Sequence, residues 1–318
     1  MKCFPNFYRN ATSLFLVLVF VLSLLGGCAR NTEDDITGPL IWRVTASDAQ
    51  TMYLFGSIHA ADEELYPLPD AIMNAFDDCD YLAVEADIIA FEQDMEALMS
   101  VAYALMYPEG STIADEIGEE LHERAKAVMA ELESELAELG IPLEMLDRFR
   151  PYFWIQILTG IAIERVGLSL ELGLDKYFLE KAKDRDMEIL EVESIEEQLQ
   201  LLIGFSQPLQ AALLESYLDL DKTVSELKEL YELWKQGDRR ALEALFDSDT
   251  DDLPQELAAE YIDGLLTQRD LGMVEVAERY MTEGKTVFYI VGLAHMVGEN
   301  GIVAQLIEKG YTVERLPV

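Results

Sequence analysis

The sequence predicts an α/β fold: a mainly parallel sheet built from strand-helix-strand units, with two large helical insertions. Three observations carry this reading. Short apolar runs of strand length alternate with amphipathic stretches of helical period. Two of those runs end alike, Thr51–Phe55 in Gly56-Ser57-Ile58-His59 and Thr286–Val291 in Gly292-Leu293-Ala294-His295. The 318 residues include only three histidines, and two of them fall in this repeat. A strand-Gly-x-x-His element present twice points to one site assembled from both ends of the chain.

Residues 1–27 read as a lipoprotein signal peptide and stand outside the fold. Lys2 and Arg9 precede an apolar run from Leu14 to Leu25, broken only by Ser23. That run is shorter than the ~20 residues a membrane span needs. Leu25-Gly26-Gly27-Cys28 has the form of a bacterial lipobox. Cleavage before Cys28 and lipidation of that cysteine are therefore expected, with an uncleaved anchor helix as the alternative. Residues 28–40 read as a polar tether, and 41–318 as a single domain.

Within the domain, Ile41–Val44 and Thr51–Phe55 read as strands around a polar turn at 47–50. Pro67-Leu68-Pro69 introduces a helix over 70–78, with Asp70 in its first turn. Tyr81–Glu85 is the next buried strand. Residues 91–165 form the first helical insertion. In it, 115–139 carries a helical period stopped by Gly140-Ile141-Pro142, and 150–165 is apolar enough to line a core or groove. A helix over 175–184 and a strand over 187–192 follow. Residues 195–283 form the second helical insertion. Its acidic loop 247–254 lacks the glycine and closing glutamate of an EF-hand. The chain ends with strand 286–291, helix 300–309 and strand 311–316.

Strand-helix-strand units at 51–85, 174–192 and 286–316 predict parallel pairing through crossover connections. Ligands of such sheets collect at the carboxyl ends of the strands. That edge would carry His59, Glu85, Glu193 and His295 together, and the helical insertions would cover it.

Lys and Arg number 23 against 61 Asp and Glu, a formal net charge of −38. Nucleic acid and anionic membrane surfaces are therefore unsuitable partners. Basic peptides and divalent cations suit the charge, although its spread along helices serves solubility first. With Cys3 in the leader and Cys28 lipidated, Cys79 alone remains, so no internal disulfide can form. Beside Tyr81–Val84 it reads as a small buried hydrophobe.

Imidazole and carboxylate are ligands for zinc, manganese or cobalt. Two histidines and one or two carboxylates with a position left for water outline a hydrolytic metal site. The glycine of each motif is expected to turn the chain sharply off its strand. A glutamate after an apolar strand costs too much to bury unpaired. A metal, or an arginine such as Arg269 or Arg150, is therefore expected beside Glu85. His122, in an acidic helix, reads as a surface residue. Ser57 is a weak nucleophile candidate because its counterpart in the second motif is Leu293.

At these residues the chain resembles the TraB/GumN family, which also includes PrgY and the Tiki proteins. The resemblance spans about 40–318. Its pieces are Leu54–His59, Leu65–Pro69, Leu82–Asp87, Gly173-Leu174-Asp175, Val192–Gln198 and Tyr289–Gly298. It implies a compact α/β fold, and in the Tiki branch a metal-dependent peptidase of secreted proteins favouring manganese or cobalt. In the TraB and PrgY branch it implies restraint of a secreted peptide pheromone. By matching motifs, His59, His295, Glu85 and Glu193 are the implied site residues. The family often has Arg-Asn before its last helix where this chain has Arg269-Asp270. If that Asn meets substrate, Asp270 alters charge preference or weakens the site.

The expected protein is a lipoprotein held in the cell envelope by the lipid on Cys28, facing away from the cytoplasm. In a host with two membranes that means the outer membrane or periplasm. It hydrolyses peptides with a divalent metal, manganese or cobalt before zinc. His59 and His295 bind the metal, Glu85 or Glu193 completes the shell, and the other glutamate serves water. Arg269 binds a substrate carboxylate or steadies the oxyanion. The alternative is a non-catalytic lipoprotein that captures a peptide or cation at the same residues.

Overall fold

The computed structural model describes residues 36–318 apart from 48–49, 249 and 251. The signal peptide, Cys28 and most of the tether lie outside the described residues, as do the centre of the turn at 47–50 and part of the loop 247–254. The described chain forms two compact units.

One unit comprises residues 36–87, 171–194 and 228–318 and contains the sheet. Its strands are β1 (Ile41–Thr45), β2 (Thr51–Ser57), β3 (Tyr81–Val84), β4 (Glu188–Glu191), β5 (Val287–Gly292) and β6 (Thr312–Arg315). Their spatial order is β4-β3-β5-β2-β1-β6. β4, β3, β5 and β2 run parallel. β1 is antiparallel to both β2 and β6. The sheet is thus mixed, and the segment 286–316 departs from expectation because β5 and β6 are not neighbours. The short turn after β1 brings β2 back antiparallel. This leaves the other edge of β1 free, and β6 pairs there.

β5 is central because its sequence can be buried on both faces. Val287 through Val291 are fully buried, a continuous apolar run of the kind parallel interior strands require. Phe55, Phe76, Phe178 and Phe288 pack mostly edge-on against one another beneath the sheet, and Trp234 joins them at 6.3 Å from Phe55. Helix Gln268–Thr282 is pinned to the strands by two tyrosine hydroxyls. Tyr289 donates to Met273 O at 2.9 Å and Tyr280 to Glu191 O at 3.2 Å.

The other unit is helical and comprises residues 88–170 and 195–227. The expected helical block 195–283 is therefore shared: its residues from 228 onward belong to the sheet unit. Helix Pro151–Val166 is buried from Pro151 through Ile163, as an all-round apolar helix must be. His122 is a correction to the sequence reading. It is buried, with Nε2 2.9 Å from Asp147 Oδ1 and its ring against Trp154. It shares the inward stripe of Leu121, Ala125 and Met129. Among the described residues no helix is long and apolar enough to cross a membrane.

Candidate functional site

The carboxyl ends of β2, β3, β4 and β5 fall on one edge of the parallel strands, and each is followed closely by a site candidate. His59 lies two residues beyond β2 and Glu85 directly after β3. Glu193 follows β4, where its N–H donates to Glu85 O at 2.9 Å and extends the pairing of the two strands. His295 lies in the short helix Leu293–Met296 that β5 runs into.

The two motifs touch. A Cβ on Gly56 would sit 2.7 Å from Leu293 Cδ1 and 3.2 Å from Leu293 Cα. A Cβ on Gly292 would sit 3.2 Å from Glu85 Oε1, 3.7 Å from His59 Nε2 and 3.7 Å from His295 Cδ2. Neither glycine has positive φ, so the expected sharp turn is not what requires them. Gly56 admits the second motif, and Gly292 leaves the space that Glu85 and both imidazoles share. Gly56→Ala is expected to cost about 1–3 kcal/mol by overpacking, read as a shift in chemical denaturation. Leu293 Cδ1 can rotate away, but Leu293 Cα cannot. An unchanged midpoint would show that the contact is slack.

Each histidine is backed by a buried carboxylate that sequence reasoning did not assign to it. His59 Nδ1 lies 2.8 Å from Asp175 Oδ2, and the buried Ser57 hydroxyl donates to Asp175 Oδ1 at 3.0 Å. His295 Nδ1 lies 2.6 Å from Asp270 Oδ1. A carboxylate on Nδ1 fixes the proton there and turns Nε2 outward as an acceptor or ligand. Asp270 therefore serves His295, whereas the sequence had raised a substrate contact for it.

Arg269 joins the two glutamates. Its Nε lies 3.0 Å from both Glu193 oxygens, and its Nη2 donates to Glu193 Oε2 at 2.7 Å and to Glu85 Oε2 at 2.8 Å. Glu85 Oε1 also accepts the Gly292 N–H at 2.6 Å. Arg150 belongs to the helical unit, and Glu85 takes Arg269 as its cation.

The charges follow this geometry. Burial alone would raise the Glu85 pKa, but Arg269, both histidines and the Gly292 N–H bring it down to about 2. Burial alone would lower the His59 pKa, but Asp175, with help from Glu85, lifts it to about 9. Burial raises Asp270 above the usual carboxylate range, and His295 opposes that rise.

The donors suit a divalent metal in kind: two imidazoles with carboxylates on Nδ1, and Glu85 beside them. In this arrangement the side chains are not drawn into a shell. Among the described residues no three His, Cys, Asp or Glu side chains form a group that would hold an ion.

The chain is similar over most of its length to known proteins. The YbaP protein of Escherichia coli strain K12, itself uncharacterised, is 23% identical over 263 residues, covering 83% of this chain and 90% of the relative. The metalloprotease TIKI1 of Danio rerio is 23% identical, with 92% of this chain matched to 66% of the longer relative. No solved structure matches significantly. The model of the TraB/PrgY/gumN family matches residues 40–315, which includes every candidate site residue except Cys28, and the chain belongs to that family.

Proposed function

We propose that this protein is a cell-envelope lipoprotein that hydrolyses peptides with a divalent metal held by His59, His295 and Glu85. One observation carries the reading: two imidazoles, each backed by a buried aspartate, meet Glu85 at the space over Gly292. The metalloprotease name of the TIKI1 relative supports a metal; manganese or cobalt ahead of zinc is our own choice of ion. Such an ion would acidify a bound water or polarise a carbonyl.

The chain's own residues do the rest. Asp175 and Asp270 hold the imidazoles with Nε2 presented. Arg269 pairs with Glu193, keeps Glu85 ionised and offers positive charge to a developing oxyanion. Glu85, with an oxygen on the shared space, is the ligand. Glu193, the other carboxylate on Arg269, orients water. A basic peptide suits the charge of −38. The lipid on Cys28 would keep the protein at the membrane.

A second reading has its own support. Arg269 already engages both glutamates, which suits a preformed cradle that captures a peptide or cation without turnover. Elemental mass spectrometry on full-length protein in detergent separates the two. The expected result is about one manganese, cobalt or zinc per chain, lost in His295→Ala because a missing imidazole leaves the set incomplete. Peptide cleavage should be lost with it. Metal held equally by both proteins, or by neither after incubation with each ion, would overturn the metal reading in favour of capture.

A further inference from the structure

Asp270 and Ala294, which flank the His295 side of the site, also line a cavity of about 90 Å³. Phe246, Leu266 and Val297 give it apolar walls. Its polar lining holds three carboxylates, Asp270, Glu243 and Glu299, with the Thr267 hydroxyl and the Asn300 amide. Among the described residues no lysine or arginine lines it. Glu243 is already engaged, its Oε1 accepting from Arg239 Nε at 2.8 Å and from Gly298 N at 3.0 Å. Asp270, with one oxygen on His295, and the exposed Glu299 are the carboxylates left to meet a ligand. The wall carrying Leu266 and Thr267 is a π-helical turn, Asp263–Thr267, directly before helix Gln268–Thr282, whose first turn holds Arg269 and Asp270. Such turns interrupt helices at some cost and cluster at functional sites.

We propose that this cavity is a subsite for an aliphatic cation, the alkylammonium of a lysine side chain in a peptide held at the site or of a free diamine. The inference rests on the peptide-hydrolase reading for the lysine, and on the cavity alone for the cation. That space holds several waters, enough for one extended side chain and too small for a folded partner. A lysine stem can lie along apolar walls while its ammonium supplies three donors. Asp270, Glu299 and Thr267 are three acceptors at hand. A carboxylate side chain would face three like charges, Asp270, Glu243 and Glu299, with the Asn300 amide and the Thr267 hydroxyl as its side-chain donors.

The test uses full-length protein in detergent. Calorimetric titration with n-pentylammonium should show saturable binding, weakened about tenfold, or ~1.4 kcal/mol, by Glu299→Lys and by the cavity-filling Thr267→Met. With manganese present, peptides carrying lysine beside the cleaved bond should be preferred over norleucine by about tenfold in kcat/KM, again ~1.4 kcal/mol. Both variants should erase that preference while norleucine peptides are still cut. Cadaverine binding far more tightly than acetyl-lysine amide would assign the cavity to a free diamine. Cleavage with no lysine preference and no pentylammonium binding overturns the subsite and leaves hydrolysis standing. Failure to cut any peptide overturns hydrolysis, and pentylammonium binding that Glu299→Lys removes would still support the subsite. Binding that survives both variants places the cation elsewhere on the acidic surface and overturns the proposal.

Discussion

Arg269→Leu is expected to destabilise the protein by about 3–5 kcal/mol, the usual cost of removing one partner from a buried ion pair. Arg269 and Glu85 are both nearly inaccessible, with side chains 11% and 7% exposed, and Glu193 is little more open at 16%. The guanidinium is the shared cation of both carboxylates, and burial resists charge on Arg269 and Glu85. Glu85 is held ionised mainly by Arg269. In turn the two glutamates hold the arginine pKa above its ordinary value against the effect of burial. Without Arg269 the glutamates face each other across a low-dielectric space, and at least one must take up a proton. Urea denaturation of Arg269→Leu should therefore show the loss near neutral pH. Glu85→Gln and Glu193→Gln in the same background should recover part of it by removing the stranded charges. A loss below about 1 kcal/mol, the value of an exposed ion pair, would mean that water reaches the network freely.

Much of this arrangement is legible in the sequence, and the reasons are physical. All six strands stand out, the parallel interior ones β2, β3 and β5 as continuous apolar runs and the others as short strand-like stretches between turn signals. β5, the most apolar of them, is the central one. The rule that strand carboxyl ends gather ligands places His59, Glu85, Glu193 and His295 on one edge before any coordinates are known. The pairing of β6 with β1 is not legible, because nothing local tells a short terminal strand which free edge it will meet. The histidine partners are half legible. Asp175 lies on the inward stripe of Leu174, Phe178, Leu179 and Ala182. Asp270 lies on that of Met273, Val274, Ala277 and Tyr280. An aspartate at a buried helical position needs a partner, and that was the available signal. Which histidine it meets depends on how each helix docks. The close packing of Gly56 on Leu293 is a tertiary fact that no local pattern carries.

With metal removed by a chelator, stability should peak between about pH 4.5 and 6.5 and fall on both sides. Glu85 has its pKa lowered from 4.5 to about 2 in the folded chain. Its contribution is present above the unfolded value and is lost as pH falls toward 2. His59 has its pKa raised from 6.5 to about 9. Its contribution is complete below the unfolded value and is lost as pH rises through 9. Each shift corresponds to an effect of order 3 kcal/mol. The two are not additive, because His59 and Glu85 are part of each other's surroundings. Asp270 works against the acid flank, since its raised pKa means that protonation relieves a buried charge. The alkaline flank should therefore be the cleaner of the two. Urea midpoints from pH 3 to 10 provide the measurement, with His59→Gln flattening the alkaline limb and Glu85→Gln the acid limb. A flat alkaline limb in the unsubstituted protein would mean that His59 stays neutral beside Asp175. The imidazole would then be ready to ligate without first giving up a proton. A falling limb means instead that metal and proton compete for the same ring, so that uptake of the ion releases acid and weakens as pH drops.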